Sequence, residues 1–249
     1  MRASLCCLFF LVLLLSFPPT GLHAEEERED DQDFFAEIEA EYATAPGLQI
    51  ADPLESLNRG MFIVNDRLYF WVLKPVATGW RNITPSPVRT GIRNVFYNLT
   101  APVRVINQLL QGKGKAAAAE TGKFFVNSIW GIFGLIDASQ QLPSLQVPPE
   151  DLGQTLGHWG IGNGFYLVLP LLGPSTLRDG IGQVGDFFLQ PTSYADWNLE
   201  TRIGKSALET VNSTSFRIGD YETIKGASLD PYTAVRNGYV QMRMQAVSR

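Results

Sequence analysis

Apolar residues along most of this chain return every three or four positions, the spacing of one face of a helix. Leu54, Leu57, Met61 and Val64 form one such stripe, and Leu68, Trp71 and Val72 a second; Asn65-Asp66 lies between them and is expected to mark a break. Asp52-Pro53 ahead of the first stripe is a helix-start signal, with Asp as N-cap and Pro at the first helical position. After the stiff link Thr84-Pro85-Ser86-Pro87, the spacing resumes through Val88, Ile92, Val95, Phe96, Leu99, Val103, Ile106 and Leu110. Pro102 divides this stretch into two helices, the second capped by Thr100 or started at Pro102 itself. Arg89, Arg93, Asn94, Arg104, Asn107 and Gln108 fall opposite the apolar stripe. That face lies either in water or against lipid headgroups, and exposure alone separates the two.

Further along, helical spacing runs through Phe124, Phe125, Ile129, Phe133 and Ile136, interrupted by Asn127 and Ser128, so the segment reads as embedded but not spanning. Residues 200–218 predict another helix. The last helix starts at Asp230-Pro231 and carries Tyr232, Val235, Tyr239, Met242 and Ala246 on one side. Phe34–Tyr42 predicts a short one. No run alternates in the manner of a half-buried strand, so the expected fold class is all-α, without internal repeats.

Leu152 to Asp186 departs from this pattern. Glycines stand at 157, 160, 162 and 164, followed by the apolar run Phe165–Leu172, broken at Pro170, and by Gly173-Pro174-Ser175-Thr176-Leu177-Arg178-Asp179. Glycine costs about 1 kcal/mol in a helix interior relative to alanine and weakens strands by leaving nothing to pack. The stretch reads as a tight turn region or as a flexible apolar loop held between helices. The stretch does not fit a dinucleotide loop: the glycines are out of order, no strand leads in, and Pro170 blocks the helix that should follow. The run is also far short of the roughly 20 residues a membrane span needs.

The chain has 249 residues and a formal net charge of −5. Arg2, the apolar run to Phe17, and Leu22-His23-Ala24 read as a signal peptide over residues 1–24, so the protein is exported. Cys6 and Cys7 lie within it, which leaves the mature chain no thiol for a disulfide, zinc site or nucleophile. Residues 25–50 read as a flexible arm, in which Glu25–Asp33 holds seven acids and one arginine. Removing that acidic run and Arg2 leaves 18 acids and 18 bases in residues 34–249, a neutral body that does not suit nucleic acid. Residues 51–249 form a single domain, aromatic-rich and weakly charged, a composition suited to a membrane interface.

Catalytic constellations are absent from the sequence. The mature chain has one histidine, His158, whose expected role is a structural hydrogen bond; neither G-x-S-x-G nor H-E-x-x-H occurs. Gly204-Lys205-Ser206 lacks the earlier glycine of a P-loop, and Lys205 reads as a surface helix residue. Arg178-Asp179 reads as a local ion pair or cap. The residues provide no metal or cofactor site.

Three stretches together carry a resemblance. DPLESLNRGMFIVND (52–66) is similar to the D-P-x-E-x-x-N-R-x-M-[FY] opening of the VacJ/MlaA family of Gram-negative outer-membrane proteins. TLGHWGIGNGFYLVLPLLGPSTLRD (155–179) resembles the family's central motif, and SLDPYTAVRNGYVQMR (228–243) its D-P-Y-x-x-[VL]-R-x-x-Y tail. The resemblance implies an all-α ring of amphipathic helices embedded in one membrane leaflet, the periplasmic leaflet of the outer membrane, around a central polar channel. Such a ring removes phospholipid that has strayed into the outer leaflet and passes it to a periplasmic lipid-carrier protein. It also associates with a trimeric porin and performs no catalysis; the alternative is a porin-bound structural protein without transport. By position, Gly160, Gly162 and Gly164 match the family's channel hinge, Asn65 lies where a deletion deregulates the channel, and Lys205 falls near a channel-lining lysine. One departure stands out: family members carry a lipobox cysteine at the end of the signal peptide, whereas here Cys6-Cys7 stand too early, and no acylation is expected.

Intact-mass spectrometry of the mature protein is expected to give a chain beginning near Glu25 with no acyl chain; an added lipid mass overturns this reading.

Overall fold

The computed structural model describes residues 50–249; the signal peptide, the acidic arm and the Phe34–Tyr42 helix lie outside the described residues. A long first helix is built from α1 (Glu55–Leu68), a π-helical turn (Tyr69–Leu73) and α2 (Lys74–Ile83). The chain runs straight through Asn65-Asp66, so the expected break is not there. The irregularity comes four residues later, ahead of Pro75, whose ring removes one backbone donor and crowds the preceding turn; a π turn accommodates that loss without ending the helix. Asp52 does not cap α1 through its side chain. It is instead a contact between distant elements, described below.

α3 (Ser86–Leu99) and α4 (Ala101–Leu110) are divided at Thr100-Ala101-Pro102, as the sequence predicts. Thr100 supplies no side-chain cap, and its hydroxyl turns back to the carbonyls of Phe96 and Tyr97. α5 (Gly114–Ile129) ends before the expected Ile136, because Ile132, Phe133 and Gly134 take left-handed backbone angles that no helix continues. Next come α6 (Leu152–His158), α7 (Leu177–Leu189), α8 (Leu199–Thr214), α9 (Asp220–Gly226) and α10 (Pro231–Val247). Side-chain caps start four of these: Asp151, Thr176, Asn198 and Asp230 each accept a backbone N–H two or three residues on, satisfying groups that a helix start leaves without partners.

The stretch expected to be a flexible loop is an antiparallel hairpin, β1 (Tyr166–Leu169) with β2 (Gly173–Thr176), in the register Tyr166 opposite Thr176 and Leu169 opposite Gly173. Pro174 faces Val168, whose N–H points away from β2 to the side chain of Asn58, so the missing proline donor leaves nothing unpaired. The run does not alternate in sequence because both faces are apolar: Tyr166 and Val168 are buried, whereas Leu171 and Leu172 at the tip stand 78% and 71% exposed.

Contacts between elements close a circuit: α1 passes through the π turn to α2, α2 packs on α8, and α8 on α3; α4 follows and packs on α6, α6 on α10, α10 on β2, and β1 returns to α1. The fold is therefore a mainly helical ring with one hairpin inserted, and no helix among the described residues is long and apolar enough to cross a membrane.

Packing within the ring is inverted. Among the described residues the buried set holds eight apolar side chains, five of them alanine or valine on the helices, against 21 polar or charged ones, while Phe133 is 83% and Trp71 69% exposed. Arg89, Arg104, Asn107 and Gln108, read from sequence as a face for water or headgroups, are all buried. Buried polar groups are costly unless paired, and most are: Arg104 Nε donates to Glu120 Oε1 at 2.7 Å, and Asn212 accepts from Trp80 Nε1 at 3.0 Å while donating to the Arg89 carbonyl at 2.9 Å. Gln108 Oε1, Glu120 Oε2 and the Tyr166 hydroxyl are left without a partner among the described residues.

Arg243 spans Asp151 (2.7 Å) and Asp179 (3.0 Å), tying α10 to the starts of α6 and α7. Burial alone would raise both carboxyls, but the hydrogen bonds and charge of Arg243 outweigh it and hold them below the usual carboxylate range. Arg243→Met is expected to cost about 3 kcal/mol, the lower end for a broken buried pair, because Arg178 still faces Asp179 at 2.9 Å. With folded pKa values depressed, this stabilisation is present above the unfolded carboxylate pKa and is lost as pH falls through the folded values. The difference in unfolding midpoint between wild type and variant in mild detergent should hold from pH 7 down to about 4.5 and shrink below about pH 4.

Candidate functional site

The three sequence stretches that carry the resemblance meet at one end of α1. Asp52 accepts from Asn58 Nδ2 at 2.7 Å, from the Tyr232 hydroxyl, and from Arg236 Nη1 at 3.2 Å. Arg59 reaches Asp230 at 2.7 Å and stacks over the Tyr232 ring at 4.4 Å. Burial in this cluster, together with the bond to Asp52, pushes the Tyr232 hydroxyl pKa far above its ordinary value. Sequence reading missed these roles, leaving Asn58 and Arg59 unassigned within the family motif and taking Tyr232 as part of an apolar stripe. The signal was there in that both Asp-Pro pairs sit beside a basic or aromatic residue at helical spacing.

Asn58 and Asn65 stand seven residues apart, on one face of α1, and act as the third strand that the hairpin lacks. Asn58 donates to the Tyr166 carbonyl at 3.0 Å and accepts from Val168 N at 2.9 Å. Asn65 donates to the Leu169 carbonyl at 2.9 Å and accepts from Leu171 N at 2.9 Å. A carboxamide presents one donor and one acceptor in the geometry of a peptide group, which lets it satisfy an open strand edge. Asn65 thus holds the end of β1 and the start of its turn, where Leu171 is held at a φ of 65°.

The glycine loop leads into the other end of the hairpin. Gly160 and Gly164 have φ of 86° and 69°, the left-handed region; Gly162 does not, and nothing lies within 4 Å of a Cβ added there. The loop is pinned at three points: Ile161 N donates to the Leu156 carbonyl (3.0 Å), Arg178 N to the Asn163 carbonyl (3.2 Å), and Leu177 N to the Phe165 carbonyl (3.0 Å). The structure therefore places Asn65 and the glycines at opposite ends of one hairpin. His158 stands exposed at the end of α6 without a side-chain hydrogen bond among the described residues, so the structural hydrogen bond expected of it is not formed.

Lys205 lies elsewhere, on α8, half-buried, 3.6 Å from Glu209 and 5.7 Å from the centre of the Phe96 ring. Glu209 and Phe96 line a cavity of about 200 Å³ between α3 and α8, together with Arg93 and Ser213. A larger cavity of about 480 Å³ lies between α3–α4 and α6–α7, lined by Arg104, Glu150, Asp151, Gln183 and Asp186 among others. Tyr97 and Thr100 line both, so the two cavities adjoin inside the ring. Among the side chains in their walls, Arg93 of α3 and Arg104 of α4 are positions that sequence reading had assigned to an outer face.

The arrangement defines a class of protein: a helical ring with a polar, hollow interior and an apolar outside. Residues 50–246 match the family described as MlaA lipoprotein, and the chain belongs to that family. It is 38% identical over 194 residues to the intermembrane phospholipid transport system lipoprotein MlaA of Escherichia coli, covering 77% of this chain and 76% of that one. Its Haemophilus influenzae namesake is 32% identical over 198 residues, covering 76% of each. A solved structure concerned with the structural basis for maintenance of bacterial outer membrane lipid asymmetry superposes with a TM-score of 0.70 at 36% identity, over 79% of this chain and 99% of that one.

The loop geometry separates the three glycines. Gly160→Ala and Gly164→Ala should each cost about 1–2 kcal/mol for a side chain held in the left-handed region. Gly164→Ala should be the worse of the two, since its Cβ would stand 2.9 Å from that of Leu177. Gly162→Ala should lie within about 0.5 kcal/mol of wild type. Urea unfolding of the three variants checks the order.

Proposed function

We propose that this protein is the outer-membrane component of an intermembrane phospholipid transport system, removing mislocalised phospholipid from the outer leaflet and so maintaining lipid asymmetry. The observation that carries the reading is the inverted packing around two adjoining cavities into which charged and polar side chains reach. A phospholipid has a charged head and apolar tails, and a charge in hydrocarbon costs at least a few kcal/mol. A ring whose cavities carry charged and polar side chains gives the head a path, while the exposed Trp71, Phe133, Leu171 and Phe188 suit lipid tails. The ring sits in the periplasmic leaflet of the outer membrane, hands lipid to a periplasmic carrier protein and associates with a trimeric porin. Its work is transport, without catalysis.

In this reading the cavities form one channel, lined near its narrower end by Lys205. The loop of Gly160, Gly162 and Gly164 is its hinge, and Asn65 regulates it by holding the far end of the hairpin that the hinge moves. Two bonds from one side chain give a modest latch, of about 1 kcal/mol each, which suits a gate that must open.

Deleting the gene should raise outer-leaflet phospholipid and sensitise cells to detergent with chelator, and complementation should reverse both. Unchanged outer-leaflet phospholipid would leave a porin-bound structural role instead. Gly162→Pro is the cleanest test of the hinge: proline fixes φ near −65° and removes a donor, and Gly162 N makes no backbone hydrogen bond here, whereas Gly160 N donates to the Gly157 carbonyl at 2.9 Å. Gly162→Pro should abolish lipid clearance at normal abundance by immunoblot. Clearance at the wild-type rate would mean that the glycines serve tight packing only.

A further inference from the structure

Most charges inside the ring are matched by an opposite charge; buried Arg89 and Lys123 rest on neutral oxygens of Thr84, Ser215 and Gln146, and two further unmatched groups border the cavities. In the larger one Arg104 pairs with Glu120, Glu150 with Lys113 and Asp151 with Arg243. Asp186 does not pair. Its carboxylate accepts from Asn107 Nδ2 at 2.9 Å and from Leu152 N at 3.1 Å, and no lysine or arginine among the described residues lies within ion-pair distance of it. Burial outweighs those two bonds and holds its pKa above the ordinary value. Phe187 lines the same cavity. At the border of the smaller cavity the unmatched group is a cation: the exposed Arg93 guanidinium stacks on Phe216 at 4.6 Å and has no carboxylate partner among the described residues, Glu209 being engaged by Lys205.

Resting on the transport reading above, we propose that the path selects zwitterionic phospholipid of the phosphoethanolamine class, the lipid phosphate drawn by Arg93 and the ammonium by Asp186. A primary ammonium supplies the hydrogen-bonding cation that the Asp186 carboxylate lacks, and the face of Phe187 can add a cation–π contribution. A phosphatidylglycerol head meets Arg93 equally well but brings only neutral hydroxyls to Asp186, and its net negative charge is repelled there. Discrimination thus lies in the larger cavity, and general affinity for phosphate in the smaller.

The test uses the full mature chain in vesicles of equal parts phosphatidylethanolamine and phosphatidylglycerol, re-isolated in mild detergent, with bound lipid quantified by mass spectrometry. Wild type should hold phosphatidylethanolamine over phosphatidylglycerol by roughly threefold, the ratio a partly exposed ion pair supports. Asp186→Asn keeps one oxygen for the shared Asn107 and Leu152 donors and should bring the ratio to about one. Gln183→Lys places a cation on the same wall without touching those bonds and should also abolish the preference, which keeps the question answerable should Asp186→Asn misfold by circular dichroism. Arg93→Gln should lower total bound lipid and leave the ratio unchanged; an unchanged total removes Arg93 from the proposal. Equal binding by wild type, or a preference that survives Gln183→Lys or a folded Asp186→Asn, overturns the selectivity while the transport reading stands. Wild type that retains neither lipid overturns both.

Discussion

A protein that turns its apolar side chains outward gives up the ordinary driving force for collapse, and its interior must be held by polar contacts that close almost completely. Arg243 is where that constraint is most concentrated. It joins the last helix to the first turns of α6 and α7, and Tyr239, one turn earlier on the same helix, adds a 2.8 Å bond to Asp179. Without these bonds the buried Asp179 and the part-exposed Asp151 would bring like charge to two neighbouring helix starts. The asparagine pair on α1 applies the same logic to a strand edge: an open backbone ladder is intolerable in an apolar setting, and side-chain amides complete it where no third strand exists.

That logic also explains what the sequence disclosed and what it hid. Helix positions were legible from apolar spacing, since a helix has one apolar stripe whichever way it faces. Direction was not legible: the stripe of Val88, Ile92, Val95 and Leu99 has the same period whether it meets a core or a lipid tail. So Arg104, Asn107 and Gln108 were placed on an outer face when they form the inner one. The hairpin escaped for a related reason, because a strand apolar on both faces has no alternation to read. The glycines and Asn65 were legible by resemblance alone; their shared attachment to one hairpin emerged only when residues about a hundred positions apart were seen together. The capping residue of α10 was read correctly from Asp230-Pro231, whereas the same dipeptide at Asp52-Pro53 was misread, since local pattern says nothing of a tyrosine and an arginine arriving from the far end of the chain.

Polar groups around the cavities differ in how fully they are used. Asn212 is engaged on both sides, by Trp80 and the Arg89 carbonyl, and Arg104 is held by Glu120. Asp186 and Arg93 keep spare capacity. A transported molecule must bind without lodging, and single unmatched charges attract a head more weakly than a saturated cage would.

The π turn at Tyr69–Leu73 has a geometric consequence for the ring as a whole. A π turn admits one residue beyond the α-helical count, and one residue is about 100° of azimuth at 3.6 residues per turn. In an unbroken α-helix Ala77 and Trp80 would stand roughly 80° around the axis from Asn58 and Asn65; the extra residue takes back about that much. The side that holds the hairpin and the side that meets α8 therefore lie on nearly one bearing. One continuous rod grips two neighbours along a single line of its surface, where a uniformly wound helix would have turned away from the second.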